Sequence, residues 1–168
     1  MTGDSVINFS AYSGSLKLYL NFEINRDSVR KISLSDKPLH EFHSNEVGRR
    51  IIEFLDNGTG NLGDIKVEPS GTLFQRNVWN ELRKIPVGET RTYSDIARAI
   101  GSPKAARAVG SAVASNKIVI LIPCHRVVGK DNFGGYSAHG GLETKRLLLD
   151  IENRITFNHY PASGNSRP

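Results

Sequence analysis

The chain has 168 residues with a net charge of +5, 38% hydrophobic and 23% charged residues, and a single cysteine. That length can bury a good core in one or two small domains. No apolar run approaches the roughly 20 residues of a membrane span, no secretory signal is recognisable, and one cysteine excludes an internal disulfide and a multi-cysteine zinc site.

These features predict a cytoplasmic protein of a reducing compartment, with no membrane contact. The charge is unevenly placed: residues 1–71 hold 8 Lys/Arg against 10 Asp/Glu, whereas residues 72–152 hold 12 against 7. A basic second half fits either a solvated surface or a polyanionic partner.

In chain order, Val6-Ile7-Asn8-Phe9 ahead of Ser13-Gly14 predicts the hairpin partner of the next strand. Leu16, Leu18, Leu20, Phe22 and Ile24 alternate with Lys17, Tyr19, Asn21 and Glu23, the period of a strand with one wet face. Val29, Ile32 and Leu34 predict a third strand. His40 and His43 stand three apart and could share a helix face as metal ligands. No third strong ligand is close by, so the expectation is a solvated pair. Val47, Ile51, Phe54 and Leu55 recur at helical spacing, with Asn57-Gly58 as the stop. Residues 56–63 read as a loop, and Glu68-Pro69-Ser70-Gly71 as a domain boundary. Residues 1–68 are therefore expected to form a small α/β domain with no catalytic role.

Thr72-Leu73-Phe74-Gln75 has the pattern of a capping box, and Phe74, Val78, Leu82 and Ile85 follow as the core face of a helix. Trp79 lies off that stripe and is expected to pack against the neighbouring domain. A helix-turn-helix pattern comes next. Thr92 caps with Asp95 three residues on, Ile96 and Ile100 give the apolar edge, and Gly101 stops the helix. Ser102 as N-cap and Pro103 at the first position restart it. The second helix then carries Ala105 to Val113, with Lys104 and Arg107 on one face and Val109 and Val113 on the opposite edge. Its Ala, Gly and Ser residues permit close approach to another helix or to a DNA groove.

Ile118-Val119-Ile120-Leu121-Ile122 predicts a buried strand, ended by Pro123. Cys124 sits where that strand leaves its sheet, as an inert core residue or as a nucleophile. On an extended chain His125 points away from Cys124, so proton transfer between them needs a bend or a bridging water.

Pro123-Cys124-His125-Arg126-Val127 resembles the active-site signature of the O6-alkylguanine–DNA alkyltransferases, and the similarity runs from about Phe74 to Glu152. The resemblance implies an α/β (α+β) fold with a ribonuclease H-like first domain. A mainly helical DNA-binding and alkyl-transfer domain follows at 72–155. It implies a suicide methyltransferase that repairs DNA. An alkyl group moves from guanine O6, and less so thymine O4, to Cys124 after the nucleotide is flipped. Glu152 would orient His125, which activates Cys124 through water. Asn116 would support the active-site turn, and Tyr93 would contact the flipped base near ring N3. The Val127 carbonyl would meet the guanine amino group. Arg107 would fill the vacated space in the duplex, and Ala106 to Val113, including Gly110 and Ser111, would enter the minor groove beside Lys104. Tyr136 and Ser137 would line the pocket, and Lys145 matches a family lysine near it, although a solvated lysine reads equally well.

One segment departs from the pattern: Tyr136-Ser137-Ala138-His139-Gly140-Gly141 is two residues longer than the family's Tyr-Ser-Gly-Gly, with His139 expected in solvent. Double-stranded DNA is the expected partner, the chain is expected to be monomeric, and no cofactor or metal is expected. Residues 156–168, with Pro161, Gly164 and Pro168, read as a flexible tail. The competing readings are a non-catalytic alkylated-base sensor, against which Cys124 argues, and a cysteine hydrolase.

Overall fold

The structure is a computed structural model that describes residues 5–159. It is a mixed α/β fold with a sheet in the first half and helices in the second. Strands β1 (Val6–Ser13), β2 (Leu18–Asn25) and β3 (Ser28–Ser35) form an antiparallel meander. The short β4 (Lys66–Val67) pairs parallel to β3. Helix α1 (Glu46–Asn57) is capped by the Asn45 side chain and ends at Gly58, whose φ of 69° is the left-handed conformation a glycine C-cap adopts. The predicted three strands and helix are all present.

The core of this half follows from alternation. Leu18, Leu20, Phe22 and Ile24 are buried on one face of β2, with Ile51, Phe54 and Leu55 of α1 in the same core. Phe9 and Phe22, paired across strands, stack with centroids 4.6 Å apart. Gly48 permits the close approach of α1, since a Cβ there would lie 2.6 Å from the Phe9 ring.

The other face of β2 is not simply wet. Asn21 is buried, accepts from Ser10 Oγ at 2.7 Å and from the Leu39 N–H at 3.0 Å, and donates to Ser35 Oγ at 2.7 Å. The segment after β3 folds back over this face through Asn21, which overrides the wet-face reading. His40 and His43 belong to that segment and share no helix.

Helix α2 (Leu73–Leu82) starts in the predicted capping box of Thr72 and Gln75. Trp79 is buried in the core. Its indole N–H donates to the Ala112 carbonyl at 2.8 Å, fixing α2 to α4. After β5 (Arg91–Thr92), α3 (Tyr93–Ala99) starts in a second capping box, Thr92 with Asp95. Helix α4 (Ala106–Ala114) begins later than predicted, with Ala105 at the N-cap and no side-chain cap. Ser102 to Ala105 instead close a turn, the Ala105 N–H donating to the Ser102 carbonyl at 2.8 Å. Lys104 therefore lies outside the helix and shares no helical face with Arg107. Helix α5 (Gly141–His159) continues through residues 156–159, which were expected to be tail; residues 160–168 lie outside the described residues. No helix among the described residues is long and apolar enough to cross a membrane.

The largest departure lies at 118–122. These residues are buried as predicted, but they form turns rather than a strand. The Leu121 N–H donates to the Val119 carbonyl at 3.0 Å across Ile120, whose φ is 75°. This is a γ-turn of the rare, strained hand on a β-branched residue. The Cys124 N–H then donates to the Ile122 carbonyl at 2.8 Å across Pro123, at φ −79° and ψ 66°, an inverse γ-turn. Ile118 forms a parallel bridge with Ile32 of β3, where the Ile32 N–H donates to the Lys117 carbonyl at 2.9 Å.

Candidate active site

Cys124 opens a 3₁₀ turn (Cys124–Arg126), followed by β6 (Val127–Val128). β6 pairs parallel to β5, Arg91 opposite Val127 and Thr92 opposite Val128. This register sets Tyr93, the first residue of α3, beside the cysteine turn. Asn116 fixes the approach from the other side. Its Nδ2 donates to the Ile122 carbonyl at 2.8 Å and to Cys124 Sγ at 3.2 Å, and its Oδ1 accepts from the Ile118 N–H at 2.9 Å. A single side chain thus holds both ends of the 118–122 turn and reaches the sulfur.

Cys124 is buried at the wall of a cavity of about 270 Å³. Tyr93, Gly110, Val113 and Ala114 form one side, and Gly135, Tyr136 and Ser137 the other. Ala114 and Gly135 were not named from the sequence; the run of small residues in α4 was the signal for Ala114, and the adjacent Tyr136 that for Gly135. Val113 is buried in this wall, so it faces the cavity rather than an outer surface. Arg107 and Ser111 are exposed on α4, Ala106 is half-buried, and Lys104 is exposed on the turn before the helix. Gly110 stands against the Tyr93 ring, where a Cβ would make ordinary contact at 3.8 Å.

Behind the turn lies a dry charged cluster. His125 Nε2 is 2.7 Å from Glu152 Oε1. Arg126 donates to the same carboxylate, Nε at 3.0 Å to Oε2 and Nη2 at 2.8 Å to Oε1, and the Gly88 N–H at 3.2 Å is a further donor. Arg126 is the functional residue that sequence reasoning missed: it was read only as part of the pentapeptide, and its partner lies 26 residues downstream.

Burial alone would raise the Glu152 carboxyl, but the hydrogen bonds and charges of His125 and Arg126 outweigh it and hold it at about 2. The carboxylate is therefore ionised at neutral pH. Burial lowers the His125 imidazole, against the opposing pull of Glu152, so it rests neutral. With Glu152 accepting from Nε2–H, the unprotonated atom is Nδ1, which is buried and has no partner. It is the available base. Burial pushes the Cys124 thiol up, while the Asn116 hydrogen bond, local backbone donors and the Lys145 charge pull it down. The sulfur therefore rests as a thiol and needs a base to become a thiolate.

Three more of the residues named from the sequence lie around the pocket. Lys145 is not solvated: it is fully buried, with its ammonium on the Val127, Phe133 and Gly135 carbonyls. The Val127 carbonyl, expected to face the base, accepts from Lys145 at 2.6 Å, and neither residue lines the cavity. His139 is exposed, as expected, and its Nε2 lies 3.1 Å from Asp36, the residue after β3. Ser137 Oγ donates to the Ala114 carbonyl at 2.8 Å, which ties the longer loop to α4.

Residues 73–154 match the family model described as the DNA-binding domain of 6-O-methylguanine DNA methyltransferase. A probable methylated-DNA–protein-cysteine methyltransferase of Acanthamoeba polyphaga mimivirus is 58% identical over 93 residues, 55% of this chain and 61% of that protein. The chain thus spans less than two thirds of the viral relative's length. The methylated-DNA–protein-cysteine methyltransferase of Methanosarcina acetivorans is 42% identical over 135 residues, 80% of this chain and 83% of that protein. Among solved structures, Mycobacterium tuberculosis OGT in complex with DNA superposes with a TM-score of 0.75 at 31% identity, covering 87% of this chain and 92% of that one.

Proposed function

This chain belongs to the methylated-DNA–protein-cysteine methyltransferase family, and from that premise we propose that it repairs DNA by moving an alkyl group from guanine O6 to Cys124. The observation that carries the reading is a lone thiol at the wall of a base-sized cavity, backed by a buried His–Glu pair. Engineered cavities of ~150 Å³ hold benzene; at about 270 Å³ this one has room for a bicyclic purine.

The base inside stacked DNA is out of reach, so the nucleotide is extruded at a cost of about a few kcal/mol. Arg107 offsets part of that cost by occupying the gap. Residues 72–155 act as the DNA-binding and transfer unit and residues 1–68 as its support, with α4 set in the minor groove of the duplex. The thiol proton passes through water to Nδ1 of His125, and Glu152 steadies the resulting imidazolium. The thiolate forms the S–C bond as the C–O6 bond breaks. The electron pair moves onto the guanine, where the Tyr93 hydroxyl donates near N3. Asn116 holds the sulfur and its turn in register, while Tyr136 and Ser137 border the base.

The product is a thioether on Cys124. The sequence has no second cysteine to remove the alkyl group, so each molecule reacts once as a monomer, without cofactor. The protein acts where DNA is held, in the cytoplasm or, in a eukaryote, the nucleus.

Intact-mass analysis after incubation with an O6-methylguanine duplex tests this. One methyl is gained, at most once per molecule, and Cys124→Ala gains none while still binding the duplex. No mass change in the wild type refutes transfer, and multiple turnover refutes the suicide reading.

A further inference from the structure

Lys145 contacts the reaction only from behind. Its side chain is fully buried, and Nζ donates to the carbonyls of Val127 at 2.6 Å, Phe133 at 2.7 Å and Gly135 at 3.0 Å. The same nitrogen sits 5.1 Å from the centre of the Phe133 ring. Val127 belongs to the strand that leaves the cysteine turn. Phe133 and Gly135 belong to the loop that brings Tyr136 into the cavity. An ammonium has three N–H donors and no acceptor, and here each donor has its own carbonyl.

We propose that Lys145 is a positioning residue, a charge-dependent clasp that joins the pocket loop to the strand behind Cys124 and so sets the shape of the base cavity. The proposal rests on the alkyl-transfer reading and extends it, because Lys145 then regulates transfer without touching the base.

The geometry makes the clasp sensitive to protonation. A neutral amine keeps two N–H groups and gains a lone pair, so one of the three carbonyls would face a lone pair instead of a donor. Burial lowers the Lys145 ammonium to about 8, and the Cys124 charge opposes that shift. The surrounding groups act differently. Burial, then the Cys124 charge, keep the Tyr136 hydroxyl protonated well above neutrality. Glu152 stays ionised against Arg126, and His125 rests neutral. On the outer side, the Arg146 guanidinium lies over the Phe133 ring at 5.5 Å. Cys124 and Lys145 are left to titrate through the alkaline range with opposite effects. Ionisation of Cys124 speeds transfer, whereas deprotonation of Lys145 loosens the pocket.

The test combines transfer rates from an O6-methylguanine duplex between pH 6 and 10 with ¹⁵N NMR of the lysine side chains in the wild-type protein. The expected result is one slowly exchanging ammonium that titrates near pH 8, with the transfer rate falling over the same interval. Lys145→Met, folded by circular dichroism, should transfer at least tenfold more slowly at pH 7 and lack the alkaline fall. A wild-type rate that climbs through pH 9 while the buried ammonium is lost overturns the clasp, as does a Lys145→Met protein with wild-type rates. If Lys145→Met does not fold, the two wild-type titrations still decide. A wild type that transfers nothing at any pH refutes the transfer reading instead. The NMR arm then tests the clasp alone, through coincident shifts of the Val127, Phe133 and Gly135 carbonyls.

Discussion

Replacing Glu152 by Gln probes the charged cluster behind the nucleophile. Glu152 is 2% exposed and Arg126 is 8% exposed, so solvent screens little of their interaction. Against an ordinary value of 4.5, burial raises the carboxyl and its partners more than reverse this, to about 2. A shift of that size corresponds to about 3 kcal/mol at 1.36 kcal/mol per unit. Breaking a buried pair from one side costs ~3–5 kcal/mol, which agrees, because the remaining charge is stranded. At roughly 2–4 °C per kcal/mol for a chain of this length, Glu152→Gln should lower the melting temperature at pH 7 by about 6–20 °C. The folded pKa is depressed, so the stabilisation is complete above pH 4.5 and is lost as pH falls toward 2. The variant should lack that acid dependence, and its disadvantage should shrink with falling pH. Adding Arg126→Met removes the stranded guanidinium, and the double variant should recover at least half of the lost stability. Melting followed by circular dichroism from pH 2.5 to 8 reads all of this. A Glu152→Gln protein melting within about 2 °C of wild type at pH 7, or a double variant less stable than the single, would refute the reasoning.

Three further outcomes follow from the basic second half, the surface of α4 and the packing of α1. Duplex affinity should fall steeply as salt rises, since phosphate contacts release counterions. Arg107→Ala should slow transfer from duplex DNA more than from free O6-methylguanine, and equal losses on both substrates would remove its role in extrusion. Gly48→Ala sets a Cβ 2.6 Å from the Phe9 ring. It should destabilise by about 1–3 kcal/mol in urea unfolding, and an unchanged midpoint would show that the Phe9–Phe22 stack yields freely.

Where the governing interaction is local, the sequence was legible. Thr72 with Gln75, Thr92 with Asp95, and Gly58 after α1 act within a few residues, and each occurs where the pattern puts it. Ser102-Pro103 failed as a helix start although its pattern is equally local, because the turn it closes satisfies the same groups differently. The run Ile118 to Ile122 misled for another reason. Continuous apolar, β-branched sequence specifies burial, and burial is what it has; the γ-turn at Ile120 is imposed by Asn116 and by the sheet. Arg126 and Glu152, or Lys145 and its carbonyls, meet through tertiary folding that no short period encodes. For Lys145 the resemblance pointed to the pocket while a solvated helical lysine read equally well, since nothing in its neighbours announces three buried acceptors.

The Ile32–Lys117 hydrogen bond has a consequence for biosynthesis. Ser35 ends the meander, and Lys117 follows 82 residues later. At about 5–20 residues per second, a ribosome adds that stretch in roughly 4–16 s. The meander depends on short-range pairing between neighbours in the chain, and β-hairpins form in about microseconds. The sheet can therefore be complete before the nucleophile's turn is made. The newborn segment at 118–122, whose own preference is to extend, meets a finished edge of β3 and bends against it. The first half thus acts as a mould laid down ahead of the site it shapes. Its order in the chain keeps an apolar, strand-prone stretch from being exposed without a partner.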